Sequence, residues 1–230
     1  WKMFGDFKSV NSVKKVINLS NNKKYKKAQI VYCPPYTLID KFLRLAKNSN
    51  IKVGAQNCHY YQNSGPFTGA INTDLIKFSG AKYVIIGHSE NRKAGDTNYT
   101  INLKIKSALK KKLKVIFCIG ETLKEKRKKI TKKILNKQIK LGLDRIKDKK
   151  NIIIAYEPVW SIGTGIIPKS KDLYETINFI KKKYRYNKVL YGGSVNPKNI
   201  YELKSINNID GFLIGGASQD SKKFIDIIKK

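Results

Sequence analysis

Glu157 stands directly after an apolar run, Ile152-Ile153-Ile154-Ala155-Tyr156, and directly before Pro158-Val159-Trp160 and the triplet Gly163-Thr164-Gly165. A carboxylate at the end of a buried strand loses water and becomes a stronger base than the same group in solvent. The glycines beyond it suit a segment that closes, expels water and offers the Gly163 N–H to an anion. His88 ends a second run, Tyr83-Val84-Ile85-Ile86-Gly87, and precedes Ser89-Glu90. If a helix begins at Ser89, its N-terminus disfavours an imidazolium, leaving His88 neutral and able to donate a hydrogen bond. Trp1-Lys2 places a cation at a third strand end. Lys2 is also the partner expected for Glu157 if that carboxylate forms only a structural ion pair. His59 has no such context and reads as a loop residue.

Two glycine pairs, Gly192-Gly193-Ser194 and Gly215-Gly216-Ala217-Ser218, follow the last two apolar runs. One Gly-Gly usually marks a tight turn. Two at adjacent strand ends suggest backbone N–H groups arranged around a phosphate. A base, a neutral donor, a cation and a phosphate cradle fit proton transfer beside a carbonyl on a small phosphate ester. Metal ligands are not clustered and no dinucleotide fingerprint is present, so no cofactor is expected.

The elements that must position these residues recur along the whole chain. Seven strand-like runs are legible: 29–33, 51–55, 83–87, 113–118, 152–156, 189–191 and 211–214. Several are continuously apolar, as parallel strands covered on both faces should be. Helical spacing lies between them, in Val10, Val13, Val16 and Ile17; in Leu38, Ile39, Phe42, Leu43 and Leu45; in Ile130, Ile134, Leu135, Ile139 and Leu141; and in Leu173, Ile177, Phe179 and Ile180. Asn196-Pro197 reads as an N-cap followed by a first-turn proline. The alternation, without a linker, predicts one α/β domain over residues 1–230, either a doubly wound sheet or a closed barrel. One strand ahead of Trp1, missing or truncated, would give the eight that close a barrel.

Composition narrows the class further. With 41% hydrophobic residues the chain can bury a substantial core. No apolar stretch approaches the ~20 residues of a membrane span, and WKMFGDFKSV has no signal pattern. Cys33, Cys58 and Cys118, all in strand-like runs, read as free thiols in a reducing cytosol. The net charge of +32 would suit a nucleic-acid binder. Lysine is spread evenly, however, without interleaved aromatics, and runs such as 124–129 fall where helices should be, so solvated helix faces explain it better.

In order, WKM, CPPYTL (33–38), GAQN (54–57), FTG (67–69), KYVIIGHSE (82–90), CIGETL (118–123), AYEPVWSIGTG (155–165), YGGSV (191–195) and DGFLIGGAS (210–218) closely resemble the triosephosphate isomerase family. The resemblance implies a (β/α)8 TIM barrel that interconverts dihydroxyacetone phosphate and glyceraldehyde 3-phosphate in glycolysis and gluconeogenesis. It implies that Glu157 is the base, that neutral His88 polarises the carbonyl with Ser89 beside it, and that Lys2 stabilises the enediolate with Glu90 nearby. Gly163, Ser194, Gly215 and Gly216 match the family's phosphate donors. Pro158-Val159-Trp160 matches the N-terminal lid hinge, and Pro168 falls at the far one. A cytoplasmic homodimer is implied, its third loop (62–69) presenting Thr68 to the neighbour's lysine.

Some positions depart from the family. An Asn usually precedes the Trp-Lys pair, and the sequence starts one residue too late to show it. Phe4 stands for an Asn, Asn91 for an Arg and Ala70 for a Glu. Asp96 stands for a Glu, which would loosen an ion pair with Arg92. Ile166-Ile167-Pro168 replaces a Lys-Thr-Ala hinge, and proline there should slow the lid. Two alternatives remain at this level: another phosphosugar enzyme on the same barrel, or a basic nucleic-acid-binding barrel.

Overall fold

All seven predicted runs form strands. A computed structural model describes residues 1–183 and 188–230. In chain order its elements are α1 (Phe7–Ser20), β1 (Val31–Tyr32), α2 (Ile39–Ala46), β2 (Lys52–Ala55), α3 (Thr73–Phe78), β3 (Tyr83–Ile86), α4 (Ser89–Lys93), α5 (Asn98–Lys110), β4 (Lys114–Ile119), α6 (Leu123–Arg127), α7 (Thr131–Gly142), β5 (Ile152–Tyr156), α8 (Ser170–Lys183), β6 (Val189–Tyr191), α9 (Ile200–Lys204), β7 (Gly211–Phe212) and α10 (Ser221–Lys229). The strands are parallel and hydrogen-bonded in sequence order, β1 through β7.

The continuous apolar runs arise because both strand faces are covered. Val84, Ile86, Val115, Phe117 and Ile119 point into the layer shared with the helices. Their alternating neighbours Tyr83, Ile85, Ile116, Cys118 and Ala155 form a second cluster on the inner face. Period-two geometry therefore loads two cores from one strand, and polarity alternation disappears. The helical stripes bury as their spacing requires, with Val10, Val13 and Val16 on α1, Leu135 and Ile139 on α7, and Leu173, Ile177 and Ile180 on α8. Leu141 departs from its stripe and is exposed.

Several sequence expectations need adjustment. β1 and β7 are shorter than the apolar runs around them. Cys58 lies beyond β2 in a loop, although it is buried like a core residue. The Asn196 side chain accepts from the Lys198 and Asn199 N–H groups, so it caps the turn leading to α9 rather than α9 itself. The strand expected ahead of Trp1 is not among the seven. Trp1 itself is tied across the sheet's two edges. Its backbone nitrogen donates to Ser218 Oγ and its indole N–H to the Ser218 carbonyl, each at 2.8 Å. From the other side, the two hydrogens of Gln56 Nε2 are shared among the carbonyls of Trp1 (2.6 Å), Lys2 (2.9 Å) and Cys33 (2.9 Å). Lys2 is thereby fixed at the same end of the sheet as His88 and Glu157.

One glycine sets how closely β4 and β5 approach at that end. A Cβ on Gly120 would lie 1.8 Å from the Glu157 carbonyl oxygen, a backbone atom that cannot step aside. Gln138 brackets the same residue, accepting the Gly120 N–H (2.9 Å) and donating to its carbonyl (3.0 Å). Gly120→Ala is expected to destabilise the protein by about 3 kcal/mol or more in urea unfolding, within the range of overpacking lesions. A midpoint within error of wild type would show that the strands can part without penalty.

Candidate active site

Glu157 is held by the end of β5, where its backbone N–H donates to the Ile119 carbonyl at 2.8 Å. Its side chain is buried. Oε1 lies 3.3 Å from His88 Nε2, and Oε2 has no hydrogen-bond partner among the described residues. Gly192 leaves the space it occupies, since a Cβ there would stand 2.7 Å from Glu157 Cγ. Burial pushes the carboxyl up to about 8, because the charged form is shut away from water.

His88 caps the start of α4, and its Nδ1 accepts the Glu90 N–H at 3.2 Å. A neutral imidazole whose Nδ1 accepts must carry its hydrogen on Nε2. That hydrogen points into the space shared with Glu157. Burial lowers the His88 pKa, in line with the neutral ring expected from its place before α4.

Lys2 does not pair with Glu157. Its Nζ binds Glu90 Oε1 at 2.5 Å, and the other oxygen of Glu90 lies 3.7 Å from His88 Nδ1. Position in the fold explains the choice: Glu90 is largely exposed, so an ion pair there costs little desolvation, whereas Glu157 is closed off. Gly215 adjoins Lys2, whose Cε would lie 3.8 Å from a Cβ built there, and Gly216 opens onto free space at the start of the turn Gly216–Gln219.

The segment after Glu157 lies against the loop following β6. Pro158 is buried, and Val159–Ser161 form a 3-10 turn. The Trp160 indole N–H donates to Glu121 Oε1 at 2.9 Å, and Tyr156 OH donates to the same carboxylate at 3.2 Å. Lys126 Nζ lies 3.4 Å from the centroid of the Trp160 ring, so one lysine of the basic run 124–129 has a packing role. Gly163 (φ +72°) and Gly165 (φ +78°) adopt left-handed backbone that the chain needs to turn here. Gly163 is exposed, and the Gly165 N–H donates to Ser194 Oγ at 3.0 Å. The Ser194 N–H, expected among the phosphate donors, is directed at Ser161 Oγ at 3.3 Å. Pro168 is buried two residues before α8.

Ser89 is half-buried as the first residue of α4. Thr68 is exposed in the loop between β2 and α3, and no hydrogen bond joins it to Lys2, His88 or Glu157. Beside it, His59 stacks on Tyr60 (centroids 4.5 Å apart) and packs against Phe67 (4.9 Å). Asp96 does not pair with Arg92. It binds Lys104 at 2.7 Å, while Arg92 donates to the carbonyls of Gly87 and Cys118 and to Asn98 Oδ1. Glu121, Gln56 and Ser161 also join the site, though the types and spacing of the last two do not mark them in the sequence. Glu121 had a signal, since it follows the β4 run much as Glu157 follows β5.

Parallel strands alternating with helices, with a buried carboxyl, an imidazole and an ammonium gathered at one end of the sheet, give the architecture of a barrel-type α/β enzyme. Comparison with known proteins narrows the class to a family. The model of the triosephosphate isomerase family matches residues 1–230. The triosephosphate isomerase of Dictyoglomus thermophilum is 42% identical over 243 residues, covering 100% of this chain and 96% of that protein. That of Clostridium tetani is 39% identical over 240 residues, covering 99% and 93%. The crystal structure of triosephosphate isomerase from Bartonella henselae superposes with a TM-score of 0.88 at 34% identity, covering 99% of this chain and 94% of the other. The chain belongs to the triosephosphate isomerase family.

Proposed function

We propose that this chain interconverts dihydroxyacetone phosphate and D-glyceraldehyde 3-phosphate through an enediolate, with Glu157 as the base. The observation that carries the assignment is the buried Glu157 carboxylate, one oxygen without a partner and the other 3.3 Å from His88 Nε2. Ionised Glu157 takes a proton from the carbon next to the substrate carbonyl. Charge then develops on the carbonyl oxygen, where the His88 Nε2–H and the Lys2 ammonium stabilise it. His88 moves a proton between the two oxygens, and Glu157 returns its proton to the neighbouring carbon. Atoms and charge balance without a cofactor. Backbone N–H groups of Gly163, Gly215 and Gly216 hold the phosphate, joined by that of Ser194 once it leaves Ser161 Oγ, and Glu90 orients Lys2.

The lid carries Gly163 over the phosphate and keeps water from Glu157, a behaviour for which this enzyme family is a standard example. Residues 1–230 act as one barrel domain, and the substrate is the only small-molecule partner assigned. The exposed aromatics Tyr60, Tyr61 and Phe67, with the half-buried His59 packed among them, support a homodimer that brings Thr68 to the neighbouring site. No helix among the described residues is long and apolar enough to cross a membrane, in keeping with a cytoplasmic place in glycolysis and gluconeogenesis.

Turnover of glyceraldehyde 3-phosphate in a coupled assay tests the activity. Absence of turnover by folded wild-type protein would reject it. Sedimentation should give a species near twice the 26.3 kDa chain mass; a monomer at micromolar concentration would remove the dimer. Pro168→Ala frees a backbone angle at the lid's far end and should raise the lid-opening rate about 2- to 5-fold, on the scale of ~1 kcal/mol proline effects. Unchanged product-release kinetics would show that Pro168 does not govern the hinge.

A further inference from the structure

The end of the sheet opposite Glu157 and His88 carries charge that the isomerase reaction does not use. Ile116 on β4 and Leu190 on β6 belong to the inner cluster. A Cβ on Gly54 of β2 would stand 2.7 Å from Tyr83 Cβ and 2.9 Å from Cys33 Sγ, both of that cluster. Side chains alternate along a strand, so the residue two positions earlier on each points the same way. Those residues are Lys52, Lys114 and Lys188. The sheet ladder fixes all three backbones. The Lys52 N–H donates to the Ile30 carbonyl and the Lys114 N–H to the Lys82 carbonyl, each at 2.9 Å, and the Lys188 carbonyl accepts the Ile154 N–H at 3.0 Å. Strands β2, β4 and β6 alternate in the sheet, and alternate strands build one layer of a barrel interior. The outermost layer at this end is therefore made of lysines, where branched apolar residues usually stand.

All three lysines are exposed, and none forms an ion pair among the described residues. Lys114 Nζ stands 5.6 Å from the centre of the Tyr83 ring. Tyr83 is buried on the inner face of β3, and its hydroxyl accepts from Gln29 Nε2 at 2.8 Å. Gln29 lies two residues before the inner-facing Val31, so the hydroxyl reaches the same open end. Accepting from Gln29 leaves the phenol hydrogen free to donate, and no acceptor meets it among the described residues. Three ammonium groups and one phenol O–H form a set of donors with no acceptor to answer them. Alternate strands stand about 10 Å apart, a span that flexible lysine stems can close around a compact anion.

We propose that this N-terminal mouth of the barrel, formed by Lys52, Lys114, Lys188 and the Tyr83 hydroxyl, binds a compact phosphate anion, free or carried on a nucleotide. The anion offsets the mutual repulsion of the lysines and ties β2, β4 and β6 together, so it stabilises the fold from the end away from catalysis. The site stands whether or not the chain is an isomerase.

Titration calorimetry with inorganic pyrophosphate at low salt should show a binding event in wild type that is absent when Lys52→Gln, Lys114→Gln and Lys188→Gln are combined. Amide NMR shifts on adding pyrophosphate should centre on Lys52, Lys114 and Lys188. Lys114→Gln alone should weaken this event about 10-fold, the loss of one charged hydrogen bond, and Lys114→Arg should restore it to within a few-fold. Pyrophosphate should also raise the melting temperature of wild type more than that of the triple variant. Anion binding at the catalytic end is separated by turnover, since inhibition by pyrophosphate should be the same in both proteins. ADP in the same titration identifies the source: an event matching that of pyrophosphate assigns a nucleotide's phosphates, and its loss assigns the free anion. Should the triple variant fail to fold, the Lys114→Gln and Lys114→Arg pair decides. The proposal is overturned if the substituted proteins bind pyrophosphate as wild type does, or if the amide shifts gather only at Gly215 and Gly216.

Discussion

Glu157→Gln should lower kcat by about 10²–10⁴-fold with little change in KM, and at pH 8–9 it should make the protein more stable. The two effects share a cause. A general base contributes that range when it sits correctly, and glutamine keeps the shape while losing the basicity. Stability follows from linkage. Burial raises the carboxyl from 4.5 to about 8, so the folded protein binds a proton that the unfolded chain has already lost. For a raised carboxylate, stability is fully present below 4.5 and declines as pH rises toward 8. The full shift corresponds to about 5 kcal/mol, an upper bound because rotation of the side chain toward water relieves it. Urea unfolding across this window should show wild type losing stability relative to the glutamine variant, with parity near pH 4. In the active enzyme, kcat/KM should rise over the same range as the carboxylate ionises. Parallel stability curves, or a variant with wild-type kcat, would defeat the assignment of Glu157 as a buried base.

The order of the barrel was legible because each strand is covered on both faces, and a run such as Tyr83-Val84-Ile85-Ile86 shows it without any partner in view. His88 and Glu157 were legible for a related reason, since polar residues ending such runs must face the sheet's end. The polar pairings were legible only in part. The resemblance placed Glu90 beside Lys2, where it is found, but Asp96 chose Lys104 over the expected Arg92. Those choices depend on which carboxylate can be desolvated and which side chain the next turn brings near, and neither is written in spacing. Ser161 was hidden differently. A serine between tryptophan and isoleucine looks incidental until Ile166, Tyr191 and Ser194 fold around it.

Lys2→Met should reduce kcat/KM by about 10²–10³-fold, the loss expected when a preorganised charge facing a developing oxyanion is removed. The same change should alter His88, which gives the prediction a second readout. Burial holds the His88 pKa down; among its charged neighbours Glu90 raises it and Lys2 lowers it further. In wild type the Lys2 ammonium occupies Glu90 Oε1 at 2.5 Å, and Glu90 Oε2 lies only 3.7 Å from His88 Nδ1. Methionine removes the cation and leaves the Glu90 carboxylate facing the ring alone. The imidazolium then persists to higher pH, the neutral donor is lost sooner on acidification, and the acid limb of kcat/KM moves upward. An NMR titration of the His88 ring should show that upward shift directly. Lys2→Arg retains the charge and should keep the His88 titration near wild type, although its planar fork cannot reproduce the single short contact to Glu90. A Lys2→Met enzyme within a few-fold of wild type would exclude Lys2 from charge stabilisation. A large rate loss with an unmoved His88 titration would confine its action to the substrate and separate it from the imidazole.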